Sequence, residues 1–303
     1  MKSKFTGAMV GTAVGDALGA FFEGRSKIRI EDIEAIAESA ELLVYTDDTH
    51  MAIGVAESLI RCGGFDGRDM AETFARNYER EPYRGYGPGP PYIFRMVRAG
   101  VPWDEAAHKL YRGGSYGNGS AMRIAPVGVF YRDKPEMLVE IARKSSQITH
   151  THKLGMEGAA LQAGAVALAV NLEAEQEINR HDFLEKLSDY VEDEVYRGKL
   201  SKIEEILEKP DKARVVAELG NGIEAFTSVP AAIYSFLSWS NSFSDAVLNA
   251  ISLGGDTDTI GAMTGAIAGA YLGAGSIPSR WLDRLENRQY LEELGEGLWS
   301  ISG

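Results

Sequence analysis

Residues 254–273 read Gly254-Gly255-Asp256-Thr257-Asp258-Thr259-Ile260-Gly261-Ala262-Met263-Thr264-Gly265-Ala266-Ile267-Ala268-Gly269-Ala270-Tyr271-Leu272-Gly273. Two aspartates open an uncharged stretch in which glycine returns every fourth residue, at Gly261, Gly265, Gly269 and Gly273. Glycine inside a helix costs roughly 1 kcal/mol relative to alanine, so four in register need a reason. A row at this spacing forms a flat ridge that another helix backbone can approach closely, as small residues allow in membranes. Near the N-terminus, Gly7, Gly11, Gly15 and Gly19 form a second such row. Both segments are predicted to be helices packed deep in the core. If they pack against each other antiparallel, Glu23 at the end of the first lies near Asp256 and Asp258 at the start of the last.

The rest of the chain carries the same period. Met9, Val10, Ala13, Val14, Ala17, Leu18 and Phe21 recur as one stripe, as do Met51, Val55, Leu59 and Ile60. Residues 158–170 are apolar nearly all round, as expected for a central helix. Alternating strand patterns of useful length are lacking. The expected fold is all-α, a compact orthogonal helical bundle in one domain over residues 1–303, with the active-site cleft formed by inter-helix loops. Residues 173–219 are rich in Glu, Lys and Asp and contain Pro210. Their apolar residues are too sparse for a separate core, so this segment reads as a charged helical hairpin or lid on the surface. Residues 85–91, Gly85-Tyr86-Gly87-Pro88-Gly89-Pro90-Pro91, read as a stiff non-helical loop.

The chain has 303 residues and a formal charge of −13, which argues against a nucleic-acid backbone or an anionic membrane as the main partner. A small anionic substrate remains compatible, because bound divalent cations reverse the local field. One cysteine, Cys62, allows no internal disulfide and fits a reducing cytoplasm. The basic start Met1-Lys2-Ser3-Lys4 leads into an apolar run, but Asp16 interrupts it and no small-residue cleavage site follows. The uncharged stretch Thr259–Ile277 has the length of a membrane span. Its Gly, Ala and Thr content, directly after two aspartates, reads instead as a buried core helix.

Two loops carry the chemistry. Tyr45-Thr46-Asp47-Asp48-Thr49 and Gly254-Gly255-Asp256-Thr257-Asp258-Thr259 each pair carboxylates with hydroxyls at a helix entrance. Either one alone is explained by helix capping, since Thr and Asp favour N-termini and complement the dipole. Both together point to hard cations. Oxygen-only ligands favour Mg²⁺, Mn²⁺ or Ca²⁺ over Zn²⁺, and the glycines permit an irregular turn that aims Asp256 and Asp258 at one point. The glycine-rich stretch from Gly113 to Arg123 exposes backbone N–H groups suited to phosphates, yet it matches neither a Walker A loop nor a dinucleotide fingerprint. Asp16 reads as a structural hydrogen bonder. His150 and His152 are weak as an isolated pair, and His181-Asp182 lacks companion histidines. A prenyl-diphosphate enzyme would want Asp-Asp-x-x-Asp, and Met51 stands where the third aspartate belongs.

With these residues assembled, the chain resembles the ADP-ribosylglycohydrolase family, all-α hydrolases of the dinitrogenase-reductase-activating type. The resemblance runs from Gly7 to Trp281. It rests on Gly15-Asp16-Ala17-Leu18-Gly19, Tyr45-Thr46-Asp47-Asp48-Thr49, Gly117-Asn118-Gly119-Ser120-Ala121-Met122-Arg123 and Gly254-Gly255-Asp256-Thr257-Asp258-Thr259. Phe21-Phe22-Glu23, Arg84-Gly85-Tyr86-Gly87, Gly114-Ser115-Tyr116 and Thr149-His150 look closest to the branch that removes serine-linked ADP-ribose.

The resemblance implies that Thr46, Asp47, Asp48, Asp256, Asp258 and Thr259 hold two Mg²⁺ ions, with Mn²⁺ as an alternative. It implies that Glu23 acts at the scissile bond, with Asp47 and Asp48 as further catalytic groups. Ser115, Tyr116, Gly117 and Asn118 match the loop around the diphosphate and distal ribose, and His150 matches a substrate-side histidine. Tyr111 falls where that branch stacks a Phe on adenine. The expected activity is release of ADP-ribose from O-linked protein or from small esters such as O-acetyl-ADP-ribose, by a cytoplasmic monomer. An arginine-linked hydrolase and a catalytically inactive ADP-ribose-binding module are the alternatives.

Overall fold

The computed structural model describes residues 1–174 and 177–302. At its centre the first helix, Lys2–Gly19, lies antiparallel against the helix Thr257–Leu272. The two glycine rows mesh: a methyl group at Gly7, Gly11 or Gly15 would overlap the carbonyl oxygen of Gly269, Gly265 or Gly261, and at Gly19 that of Thr257. Backbone thus meets backbone, which explains four-residue glycine spacing on both segments. Gly273 plays a different part, ending the second helix at a φ of 82°.

Around this pair pack the helices Lys153–Asn171, Ala225–Ser238, Phe243–Ser252 and Arg288–Ile301. The helices Asp47–Cys62 and Gly67–Arg80 cross where Gly54 receives the ring of Phe74. Buried apolar residues from Phe5 to Leu298 form one continuous core, beside a small cluster of Ile93, Ala106 and Ala107. Among the described residues no strand forms, only isolated bridges at Leu43–Leu285 and Gly117–Glu224. By composition the segment Lys2–Phe22 has the length and apolarity of a membrane span, and 89% of that window is buried inside the fold. It is the core helix.

Among its described residues the charged segment forms the helices Arg180–Ser188 and Glu194–Glu208, capped by Asn179 and Asp193, and then the short helical turns Lys212–Arg214 and Val215–Leu219. Too apolar-poor for its own core, it joins the main one: Phe183, Leu187, Tyr196 and Ile203 are buried. The Tyr190 ring covers Gly164, and the Tyr196 hydroxyl sits over Gly158. Buried Glu157 accepts hydrogen bonds from the amides of Glu192 and Asp193 at 3.1 and 2.9 Å.

Candidate active site

Where the central helices meet their loops, a cleft of about 370 Å³ opens. Glu23, Thr46, Asp47, Asp48, Tyr111, Ser115, Gly117, Asn118, His150, Asp256, Asp258 and Thr259 all line it. Antiparallel packing brings the end of the first helix to the start of Thr257–Leu272, so carboxylate oxygens of Glu23, Asp256 and Asp258 lie within 4.8 Å of one another. Gly254 and Gly255 take φ values of 75° and 74°, the left-handed turn that aims the two aspartates.

Helix capping does not account for these residues. Thr46 and Asp256 occupy N-cap positions without a side-chain capping bond, whereas Asp66, Asn179, Asp193 and Ser242 do cap their helices. Thr46 is turned instead toward Asp16, fully buried in the first helix. The Thr46 amide and hydroxyl donate to that carboxylate at 3.0 and 2.8 Å, and those of Thr49 at 3.0 and 2.6 Å. Asp16 thereby fixes the loop that presents Asp47 and Asp48.

Buried together, these carboxylates require either protons or a cation. Asp48 is buried, and its Oδ1 has no hydrogen-bond partner. Burial, followed by the charges of Asp16 and Asp258, pushes Asp47 up to about 8 and holds Asp48 well above the carboxylate range. Asp256 is raised by burial and by Asp258, and Glu23 by Asp258 and then burial. Burial pushes Asp16 up to about 7 against the opposing hydrogen bonds of Thr49 and Thr46. No lysine or arginine lines the cleft among the described residues. An orphaned carboxylate oxygen amid this oxygen-rich set fits a hard divalent cation. The side-chain oxygens available to such an ion in the cleft include those of Thr46, Asp47, Asp48, Asp256, Asp258 and Thr259.

The glycine-rich loop forms the opposite wall. Asn118 Nδ2 donates to Ser228 Oγ at 3.0 Å and to Asp256 Oδ2, tying this wall to the acidic one. Ser115 Oγ accepts from the Gly117 amide at 3.2 Å. Gly117 and Gly119 leave room for the His150 ring, whose edge lies against them. Tyr111, about one-third exposed, packs its ring on Gly89 at the rim. Tyr116 does not line the cleft; its ring turns outward against His152 and Phe226. Among the described residues none of 173–219 lines it either, and exposed His181 is paired with Glu204 at 2.6 Å.

The motifs left some supporting residues without a role. Arg84, buried, donates to the Tyr45 carbonyl at 3.0 Å and forms ion pairs with Glu81 and Glu286. Glu286 in turn accepts from the Tyr45 amide at 2.8 Å. This holds the acidic loop from behind. Tyr86 donates to or accepts from His50 Nδ1 at 2.8 Å, pinning the glycine–proline loop to the same helix. Partners 202 residues apart, as Arg84 and Glu286 are, leave no local sequence signal.

Residues 1–302 match the family model described as ADP-ribosylglycohydrolase. ADP-ribosylhydrolase ARH3 of Bos taurus is 39% identical over 99% of this chain and 93% of its own length. The Homo sapiens ARH3 is 38% identical with the same coverage. ADP-ribosylarginine hydrolase Tri1 of Serratia proteamaculans is 28% identical over 99% of this chain and 80% of its own. A solved structure described as an ADP-ribosylglycohydrolase-related protein complex superposes with a TM-score of 0.77 at 29% identity, over 100% of this chain and 99% of that one.

Proposed function

Because the chain belongs to the ADP-ribosylglycohydrolase family, and is thereby a glycosidic-bond hydrolase, we propose that it releases ADP-ribose from O-linked, serine-type protein adducts or small esters, with two Mg²⁺ ions bound. The observation that carries this reading is the convergence of Glu23, Asp48, Asp256 and Asp258 on one cleft whose other wall is a glycine-rich loop. Thr46, Asp47, Asp48, Asp256, Asp258 and Thr259 would hold the ions. Bound there, they supply electrophilic stabilisation and orientation of the ribose hydroxyls at the reacting carbon.

The chain's own groups then divide the work. Glu23 stands at the open edge of the acidic cluster, and the neighbouring Asp258 charge raises its proton affinity. That suits a group which gives a proton to a leaving oxygen and takes one from the attacking water. The part of the glycine-rich loop that lines the cleft, Ser115, Gly117, Asn118 and Gly119, receives the diphosphate together with His150, although the amides of Gly117 and Asn118 are bonded to Ser115 Oγ and Ile223 O. Tyr111 offers a ring face at the rim for the adenine. Asp16 and Asn118 keep the two walls in register.

The O-linked reading is supported by what the rim lacks among the described residues. Every carboxylate lining the cleft belongs to the acidic centre, and the remaining lining from Pro88, Pro90, Ile93 and Ile223 is uncharged. A guanidinium leaving group would be served by further acids there; a serine hydroxyl needs none. Among its described residues, the charged segment brings no acid to the mouth. Matched serine- and arginine-modified peptides test this directly. The expected result is a higher kcat/KM for serine. A tenfold preference for arginine, about 1.4 kcal/mol in transition-state binding, overturns it.

A further inference from the structure

Behind the glycine-rich wall lies a fully buried arginine with no carboxylate partner among the described residues. Arg123 is wholly inaccessible, and its guanidinium donates to neutral acceptors: Gly119 O at 3.3 Å, Ser145 O at 2.9 Å, Thr149 Oγ1 at 2.8 Å and Met51 Sδ at 3.7 Å. The Phe74 ring lies 4.8 Å from its Cζ. Thr149 Oγ1 is in turn 2.7 Å from His150 Nδ1. The ring's other edge meets Gly117 and Gly119, where a Cβ would come within 3.3 and 3.1 Å of Nε2. His150 lines the cleft.

These contacts decide where the proton sits. A guanidinium has donors and no acceptor, so the Arg123–Thr149 bond uses a lone pair of the hydroxyl. The hydroxyl keeps one hydrogen, and its remaining close neighbour is His150 Nδ1. If Nδ1 carried a proton, the buried Thr149 hydrogen would have no acceptor. Thr149 therefore donates and Nδ1 accepts, which leaves the ring proton on Nε2. Burial, and then the Arg123 charge, push the imidazole down to about 3, so a second proton is also disfavoured.

We propose that Arg123 and Thr149 are positioning residues that lock His150 as its neutral Nε2–H tautomer, a fixed hydrogen-bond donor to an anionic phosphate oxygen of the ligand. The identity of that oxygen rests on the functional reading above; the tautomer does not. The buried guanidinium gives the wall a positive charge without placing a mobile cation in the cleft. Histidine here orients and binds, and it carries no proton through the reaction.

Long-range ¹H–¹⁵N spectra of ligand-free, ¹⁵N-labelled protein read the tautomer, with His150→Gln assigning the signal among the five histidines. The expected spectrum at pH 7 shows His150 protonated at Nε2 alone, and ADP-ribose shifts that Nε2–H. Thr149→Val should shift population to the Nδ1–H form and weaken ADP-ribose binding about tenfold. Thr149→Ser should restore both, which a purely structural role for the side chain would not require. A proton on Nδ1, or on both nitrogens, in the wild-type spectrum overturns the inference whatever the variants do. So does a Thr149→Val protein that binds like wild type. Failure of wild-type protein to bind ADP-ribose at all would instead contradict the functional reading.

Discussion

Asp48 keeps Oδ1 buried without a donor while Asp16, Asp47, Asp256 and Asp258 crowd the same volume. An unpaired buried carboxylate costs several kcal/mol unless it is neutralised or meets a cation. Asp48→Asn should therefore raise the melting temperature of chelator-treated protein, by roughly 2–4 °C per kcal/mol recovered. The same variant should lose the stabilisation that Mg²⁺ gives the parent by mass action. Calorimetry with and without Mg²⁺ checks both; an equal Mg²⁺ gain in parent and variant would leave Asp48 a plain first-turn acid. Glu23→Gln separates chemistry from metal holding. It should lower kcat by roughly 10²–10⁴-fold while ADP-ribose still binds, since general acid–base catalysis carries about that factor. Lost binding with full turnover would reverse the assignment. Asp16 was legible as a structural hydrogen bonder because it sits mid-helix among small apolar residues. That it clamps Thr46 and Thr49 was not legible, because the partners lie 30 and 33 residues away. Tyr116 belongs with it: a motif places the residue on the right loop, and only packing against His152 and Phe226 decides which way the ring turns.

Glycine spacing made the central helix pair readable, because backbone-to-backbone contact is the one arrangement that offsets four helix-weakening residues on one side and three on the other. Two substitutions of identical chemistry test that. Gly265→Ala places a methyl against the Gly11 carbonyl and should destabilise by about 3 kcal/mol or more, as overpacking against rigid backbone does. Gly198→Ala, in the exposed face of Glu194–Glu208 with nothing within 4 Å of its Cβ, should stabilise by about 0.5–1 kcal/mol. Denaturant titration reads both, and equal effects would show that the glycine rows are incidental. The charged hairpin was less legible. Its helices and caps follow from local sequence, but its seat on Gly158 and Gly164 depends on two tyrosines finding glycines that read as generic small core positions.

Across the whole molecule the formal charge is −13, and the acidic centre concentrates part of it in buried volume. Folded Asp16 and Asp47 titrate at about 7 and about 8 against an ordinary 3.8, so between those values the folded state binds more protons than the unfolded. The contribution of these two groups to the stability of metal-free protein should therefore be full below about pH 4 and be lost as pH rises to 8. A cation held by Asp47 would compete with its proton, so stabilisation by Mg²⁺ should grow over the same interval. Melting curves at pH 5 and 8, with Mg²⁺ and with chelator, check the sign; a gain that shrinks with pH would contradict it. The central claim is that this fold assembles a Mg²⁺-dependent ADP-ribosyl hydrolase from two acidic loops and a glycine-rich wall. Its most direct test is the release of free ADP-ribose from an O-linked ADP-ribosylated peptide by the purified protein. The account predicts release with Mg²⁺, a loss of more than about a hundredfold on chelation, and recovery when Mg²⁺ is returned. Release unchanged by chelation, or no release from any ADP-ribosyl linkage with Mg²⁺ supplied, would contradict it.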